Sequence, residues 1–360
     1  MFLAVLPAYR SECIELVREE MGDEIELVVS DAHLDRTVRT GIPKDYYKCA
    51  PMLRLFGRAF VQLSPSVAPL KSECIILDLN PRSLSAWGVL LVRRTLGRRT
   101  VVWGHIHPQS GPGSWTSKLR LTMRKLASGT ISYTYQDRVK AELDLPGAPV
   151  WVAPNALYRR TEMTPAIQAE IVVPNEVLYV GRFAPAKKLS LLVVGFALAS
   201  KENPEIRLRL IGGGSEESEL RRLVDELGVN GLVTFGAWED DVDVLRLAYA
   251  KAFCSVSTGF AGLGLTQSLG FGVPVIVADA ENHSPEIELH ASGGVYWFSS
   301  DSPESLAAGI GERWRDRCSV PDVNISQYTR DRYSAEAMAA GIIGALRNAS
   351  AEHKSPAKDH

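Results

Sequence analysis

Residues 259–276, Gly-Phe-Ala-Gly-Leu-Gly-Leu-Thr-Gln-Ser-Leu-Gly-Phe-Gly-Val-Pro-Val-Ile, hold the densest chemistry in the 360-residue chain. Gly259, Gly262, Leu263 and Gly264 read as a loop entering a short helix, and Gly272-Val-Pro274 precedes an apolar strand. Glycine lets a backbone approach a ligand closely, and a helix start offers N–H groups to an anion. Upstream, Val177-Leu-Tyr-Val-Gly181 reads as a strand ending in Arg182, with Lys187 five residues later. Two fixed cations facing a glycine-rich cradle describe a diphosphate site. An Arg–Lys pair can meet the charge that grows on a diphosphate leaving group, in place of a metal. A surface pair opening the next helix is the plainer reading, and Lys188 substitutes for Lys187 if that helix starts one residue later.

Gly212 and Gly213, at the end of the apolar run Arg207–Ile211, would let a diphosphate or sugar come close. Gln267 carries a neutral amide able to hydrogen-bond two hydroxyls. Glu286, following Pro285, suits either a ligand contact or the first turn of a helix, where a carboxylate opposes the dipole. His105 follows the strand-like Thr100-Val-Val-Trp103, with His107 close by. His-x-His without a nearby carboxylate or cysteine is a poor zinc site. Asp241-Val-Asp243 resembles a metal-holding Asp-x-Asp, but it lies where a helix should begin and reads as a helix start. No metal site is expected.

Apolar runs at 2–6, 25–29, 74–79, 100–103, 130–133 and 150–153 read as buried strands, with helices such as Ser11–Met21 and Ser83–Leu96 between them. Residues 37–70 fit the pattern poorly and read as irregular. In the second half, strands are expected near 177–180, 207–211, 232–235, 252–256, 273–277 and 294–297. Helices are expected near 189–200, 216–227, 240–249, 265–271 and 303–316. Such alternation predicts an α/β fold with two doubly wound parallel sheets. Every candidate group falls at the C-terminal end of a strand, where open α/β sheets bind ligands, so one shared cleft is expected.

Five segments in order carry a resemblance: Val180-Gly181-Arg182 with Lys187, Leu210-Ile-Gly212-Gly-Gly214, Phe235-Gly236, Gly272-Val-Pro274-Val, and Pro285-Glu286-Ile287. Together, over residues 172–325, they resemble the C-terminal half of family 4 glycosyltransferases. Trp103-Gly104-His105 and Ala153-Pro154-Asn155-Ala156 extend the likeness more loosely into the first half. The family's usual Glu-x7-Glu pair is replaced here by Gly259 and Gln267, a pattern nearer a branch that resembles polysaccharide-assembly transferases.

The resemblance implies the GT-B fold: two facing Rossmann-like domains with a cleft between them. The first would span 1–160, a linker 161–175, and the nucleotide-sugar domain 176–326; a helix within 327–348 would return to the first domain. The tail 349–360 is polar and reads as disordered. The resemblance also implies retention of configuration, a nucleotide diphosphate sugar as donor, and a glycan or lipid-linked acceptor. It gives His105 a role at the transferred sugar and Gln267 the place of a ribose-binding Glu. No cofactor is implied. A sugar-nucleotide epimerase or hydrolase would need carboxylates poised in the cleft, and none stands out. A catalytically silent nucleotide-sugar-binding subunit is the other rival to a transferase, and the missing Glu pair is the feature on its side.

The chain has no apolar run of about 18 residues and no basic, apolar leader, so neither a spanning helix nor a signal peptide is expected. Its five scattered cysteines suit a reducing compartment such as the cytoplasm. Residues 41–140 hold 16 Lys and Arg against 4 Asp and Glu, while 151–360 hold 20 against 27. Lys118, Arg120, Arg124 and Lys125 alternate with Leu119, Leu121, Met123 and Leu126. That mixture suits the inner face of an anionic membrane; a solvated helix face is the plain alternative, and nucleic acid is not expected as a partner.

Overall fold

A computed structural model describes residues 1–33, 38–55, 58–107, 114–166 and 173–348. The chain forms two compact units: Met1–Ala156 together with the chain from Ala335 onward, and Leu157–Ser334. The expected tail 349–360 and positions 167–172 of the expected linker lie outside the described residues.

The first unit holds β1 (Phe2–Leu3), α1 (Ser11–Met21), β2 (Val28–Val29), β3 (Lys48–Cys49), β4 (Met52–Leu55), β5 (Ala59–Gln62) and α2 (Ala68–Lys71). It continues with β6 (Cys74–Asp78), α3 (Leu84–Thr95), β7 (Arg99–Trp103), α4 (Trp115–Leu126), β8 (Gly129–Ser132), α5 (Tyr135–Asp144) and β9 (Val150–Val152). Seven strands pair in the order β3-β2-β1-β6-β7-β8-β9, all parallel. Parallel strands buried on both faces need continuous apolar runs, and every strand of this sheet except the exposed β3 falls on a run legible in the sequence.

Residues 37–70, expected to be irregular, instead supply β3, α2 and the antiparallel hairpin β4–β5. The hairpin stands apart from the main sheet and exposes half of β4, so it shows no buried run. Its one deep polar contact is Gln62, whose amide donates to Leu3 O at 2.9 Å and Ser30 Oγ at 3.0 Å.

The second unit runs β10 (Glu176–Arg182), α6 (Leu189–Glu202), β11 (Arg207–Gly213), α7 (Glu217–Glu226), β12 (Val233–Gly236), α8 (Val242–Ala250) and β13 (Ala252–Ser257). It ends with α9 (Gly264–Gly270), β14 (Val275–Ala278), β15 (Val295–Phe298), α10 (Pro303–Arg315) and α11 (Val323–Tyr333). Its sheet, β12-β11-β10-β13-β14-β15, is wholly parallel, and the strand order reverses between β10 and β13. That reversal is where doubly wound sheets open a ligand crevice. Phe183, Phe196, Leu208, Leu210 and Phe253 fill the core beneath it.

Two boundaries differ from the sequence reading. Residues 157–166, placed in the first domain and linker, pack within the second unit: Met163 is fully buried, and Glu162 O accepts from Arg246 at 3.0 Å. The helix that returns to the first unit begins at Ala335, and residues 327–333 belong to α11. α11 stays in the second unit, where Ser326 Oγ donates to Gly270 O at 2.6 Å. Only α12 (Ala335–Arg347) joins the first unit, packing on α1 and β9.

Part of the basic surplus of the first unit is spent inside the fold. Arg93, fully buried on α3, donates to Thr100 Oγ1 at 3.0 Å and to the carbonyls of Pro69 at 3.2 Å, Leu70 at 3.2 Å, Ser72 at 2.9 Å, Glu73 at 3.1 Å and Arg99 at 2.6 Å. Arg99 donates to Ala345 O and Leu346 O at 2.6 and 3.1 Å, tying the last carbonyls of α12 to β7. Arg124, 3% exposed, pairs with Asp144 at 2.7 Å and donates to Ala141 O at 2.7 Å. Replacing Arg93 by Leu would remove its hydrogen bonds to five carbonyls together, four of them part-buried, at a cost of about 3–5 kcal/mol. Denaturant unfolding should show that loss, and a change under 1 kcal/mol would refute the role given to Arg93.

Candidate active site

At the strand-order reversal of the second unit, the ends of β10 and β13 bring the two sequence motifs together. After β10, residues 185–187 make a single 3-10 turn. The loop after β13 lies directly on it: Phe260 N donates to Ala186 O at 3.1 Å, and Lys187 Nζ donates to Phe260 O at 2.7 Å. Thr258 Oγ1 donates to Lys187 O and Lys188 O at 2.8 and 3.0 Å. A Cβ at Gly259 would sit 2.2 Å from Ala186 O, so the fold itself demands glycine there. One at Gly212, whose φ is +145°, would sit 1.9 Å from Gly181 O.

Gly213 and Gly264 differ, since a Cβ on either would meet nothing within 4 Å. At Gly262 it would only reach Phe260 at 3.4 Å and the buried, unpartnered Ser284 Oγ at 3.8 Å. Leu263 is half-buried just before α9.

The two cations are distinct in state. Arg182 is exposed, and no hydrogen bond or ion pair engages its guanidinium among the described residues. Lys187 is half-buried; burial and then the nearby charge of Arg182 lower its ammonium pKa. Two cations that disfavour each other across a glycine loop are what an anion would stabilise. Lys188 is left-handed at φ 51° and ψ 42°, and it pairs with Glu281 at 2.6 Å and Asp301 at 2.7 Å. Lys187, not Lys188, therefore serves the loop.

Two expected ligand groups are already engaged. Gln267, expected to meet a sugar hydroxyl, is turned into the unit because α9 buries residues 265–270. Its Oε1 accepts from Tyr249 at 3.0 Å and its Nε2 donates to Tyr158 at 2.6 Å. Glu286, 2% exposed in the first turn of a 3-10 helix, interacts with other residues of the protein. Asp241 caps α8, accepting from the backbone of Asp243 and Val244 at 2.8 and 3.2 Å, as the helix-start reading required.

His283 escaped sequence reasoning. Its Nδ1 accepts from Ala261 N at 3.2 Å and its Nε2 faces Ala278 O at 2.7 Å. The imidazole thus carries its proton on Nε2 and hangs the glycine loop from the end of β14. Nothing in its spacing announces that role.

In the first unit, a cavity of about 590 Å³ opens beyond the ends of β6 and β7, lined by Asp78, Arg82, Trp103, His105, Arg120 and Tyr133 among others. His105 is exposed, its ring 4.8 Å from that of Tyr133. His107 instead faces Ser117 Oγ at 2.9 Å, with Asp144 at 3.7 Å. Behind the cavity, buried Arg10 donates to Tyr133 Oη and Asn155 Oδ1, each at 3.1 Å, and lies 4.5 Å over the Trp103 ring. Asp78 accepts from Ala4 N–H. The surrounding protein pushes its carboxyl up to about 6 against the pull of that hydrogen bond and of Arg10.

Arg182→Ala or Lys187→Ala should weaken nucleoside diphosphate binding at least tenfold by calorimetry, about 1.5–3 kcal/mol, with folding retained. Lys188→Ala should leave affinity near that of the parent. Equal losses at 187 and 188, or none at 182, would remove the assignment.

Residues 165–332 match the family model described as glycosyl transferases group 1. The lipopolysaccharide core biosynthesis glycosyltransferase LpsE of Rhizobium meliloti is 29% identical over 136 residues, 38% of this chain and 35% of that protein. The poly(glycerol-phosphate) alpha-glucosyltransferase of Bacillus subtilis is 29% identical over 158 residues, 42% of this chain. The match spans only 23% of that second relative. Among solved structures, Anabaena Alr3699/HepE in complex with UDP superposes with a TM-score of 0.67 at 15% identity, covering 97% of this chain and 100% of that one. The apo lipopolysaccharide outer core galactosyltransferase WaaB gives 0.61 at 13% identity, with 96% and 98% coverage. The chain thus has the two Rossmann-like domains of the GT-B fold, and residues 165–332 are similar to the glycosyl transferases group 1 family.

Proposed function

We propose that the protein is a retaining glycosyltransferase moving a sugar from a nucleoside diphosphate donor to a glycan, lipid-linked or other hydroxyl acceptor, in cell-surface polysaccharide or glycoconjugate synthesis. The observation that carries this reading is the Arg182–Lys187 pair set against the glycine loop at the strand-order reversal. Bareness at Gly213 and Gly264, which the fold does not require, leaves backbone open to a donor. As the bond from the sugar's anomeric carbon to the diphosphate breaks, Arg182 and Lys187 meet the charge gathering on the leaving oxygen. The acceptor oxygen bonds to that carbon on the same face, and its proton passes to the departing phosphate oxygen. By resemblance, His105 is assigned to the transferred sugar. With the two cations in this role and Asp241 spent on capping α8, the reading needs neither a metal nor a resident cofactor.

Relatives named for lipopolysaccharide core and poly(glycerol-phosphate) support the acceptor class, and the neighbour solved with UDP supports a uridine donor. A panel of nucleotide sugars and simple glycan acceptors tests the proposal by nucleotide release and by anomeric coupling in the product. Transfer with an unchanged anomeric configuration in the presence of EDTA is expected. Loss with EDTA and recovery with Mn²⁺ would refute metal independence. An epimerised donor, or binding without turnover, would replace the transferase reading.

Association with an anionic membrane belongs to the same proposal, on a different surface from the one the sequence suggested. Of the four basic residues on α4, Arg124 is spent on Asp144 and Arg120 donates to Leu79 O and His105 O, both at 2.9 Å. Neighbouring α3 instead exposes Leu84, Leu91 and Val92 along one side, with Leu96 just beyond at 59% exposure. Lys71, Arg94, Lys118 and Lys125 are exposed on α2, α3 and α4, and neither α3 nor α4 contains an acidic residue. No described helix is long and apolar enough to cross a membrane, so the contact would be interfacial. Leu91→Ser with Leu96→Ser should abolish co-sedimentation with phosphatidylserine vesicles at low salt. Unchanged sedimentation, or equal binding to neutral vesicles, would discard the membrane reading.

A further inference from the structure

We infer that the first unit's cavity is a subsite for an anionic group on the acceptor, a phosphate ester or a uronate carboxylate, gripped by Arg82 and Arg120. This deepens the transferase reading and rests on it. The charged side chains on the cavity wall are Asp78, Arg82 and Arg120, with His105 beside them. Asp78 is committed inward, accepting from Ala4 N–H with Arg10 behind it.

Arg120 is anchored, because Nη1 alone makes both of its carbonyl hydrogen bonds, to Leu79 O and His105 O. Its Nη2 is left without a hydrogen bond among the described residues, on a guanidinium that cannot swing away. Arg82 is exposed, and its guanidinium has no hydrogen bond or ion pair among the described residues. Each arginine lies near enough for Arg82 to disfavour the charge on Arg120, which burial already disfavours. An anchored and a free guanidinium, with Asp78, the lining carboxylate among the described residues, accepting from Ala4 N–H, make a local excess of positive charge. A planar carboxylate or a tetrahedral phosphate matches the fork geometry of two such groups. A neutral sugar hydroxyl would leave that excess unmet.

The full chain should be titrated by calorimetry with glycerol 3-phosphate and methyl glucuronide, and with glycerol and methyl glucoside as neutral counterparts. At least one anion should bind and the neutral pair should not; which anion binds separates a phosphate source from a uronate source. Arg82 makes no contact the fold needs, so Arg82→Gln should leave thermal stability unchanged while weakening the anion about tenfold, with Arg82→Lys recovering part of it. A saturating nucleoside diphosphate should not displace the anion. In turnover, Arg82→Gln should raise KM for the anionic acceptor and leave donor affinity unchanged. Displacement by nucleoside diphosphate, equal binding of neutral analogues, or indifference to Arg82→Gln would overturn the site. Anion binding at Arg82 without any sugar transfer would sink the transferase reading and leave the site. Transfer to neutral acceptors that ignores Arg82→Gln would do the reverse.

Discussion

The second unit is organised by one close approach, the backbone of Gly259 resting on the carbonyl of Ala186. No side chain fits there, since a Cβ would lie 2.2 Å from that oxygen. Once the contact forms, Phe260 N, Lys187 Nζ and Thr258 Oγ1 close hydrogen bonds around it. The ends of β10 and β13, more than 70 residues apart in sequence, become one surface at the point where the sheet reverses its order. Lys187 is half-buried by the same contact, and its ammonium is held beside Arg182 at an electrostatic cost that an anion would offset. The glycine most easily read as a ligand cradle is thus first a packing requirement. Open space where a Cβ would sit belongs instead to Gly213 and Gly264.

In the first unit a similar economy governs the arginines. A guanidinium offers five donors in a fixed fork, so one buried side chain can satisfy several carbonyls that strand ends and helix ends leave open. Arg93, Arg99 and Arg124 do this for the α2–β6 connection, the end of α12 and the end of α5 respectively. Each thereby leaves the surface on which a charge count would place it. Among the cations that stay exposed are Lys71, Arg94, Lys118 and Lys125 near the apolar side of α3, and Arg82 on the cavity wall. Behind that cavity Arg10 is tied to Tyr133 and Asn155 by two hydrogen bonds, while Asp78 on the wall accepts from Ala4 N–H.

The sequence by itself determined the two parallel sheets, because strands buried on both faces must be written as unbroken apolar runs, and each expected run carries a strand. It also placed Arg182, the two candidate lysines and the glycine loop at strand ends, without choosing between Lys187 and Lys188. Tertiary structure decided everything that depends on which way a side chain turns. Lys187 and not Lys188 reaches the loop because the backbone goes left-handed at 188 and hands that ammonium to Glu281 and Asp301. Gln267 faces Tyr158 and Tyr249 because α9 is buried on every side, a fact no periodicity in seven residues can reveal. His283 and Arg10 hold their sites through partners 22 and more than 100 residues away, respectively. Local pattern sets the elements. Long-range hydrogen bonds choose among the polar groups those elements carry, because burial leaves each buried donor and acceptor few places to be satisfied.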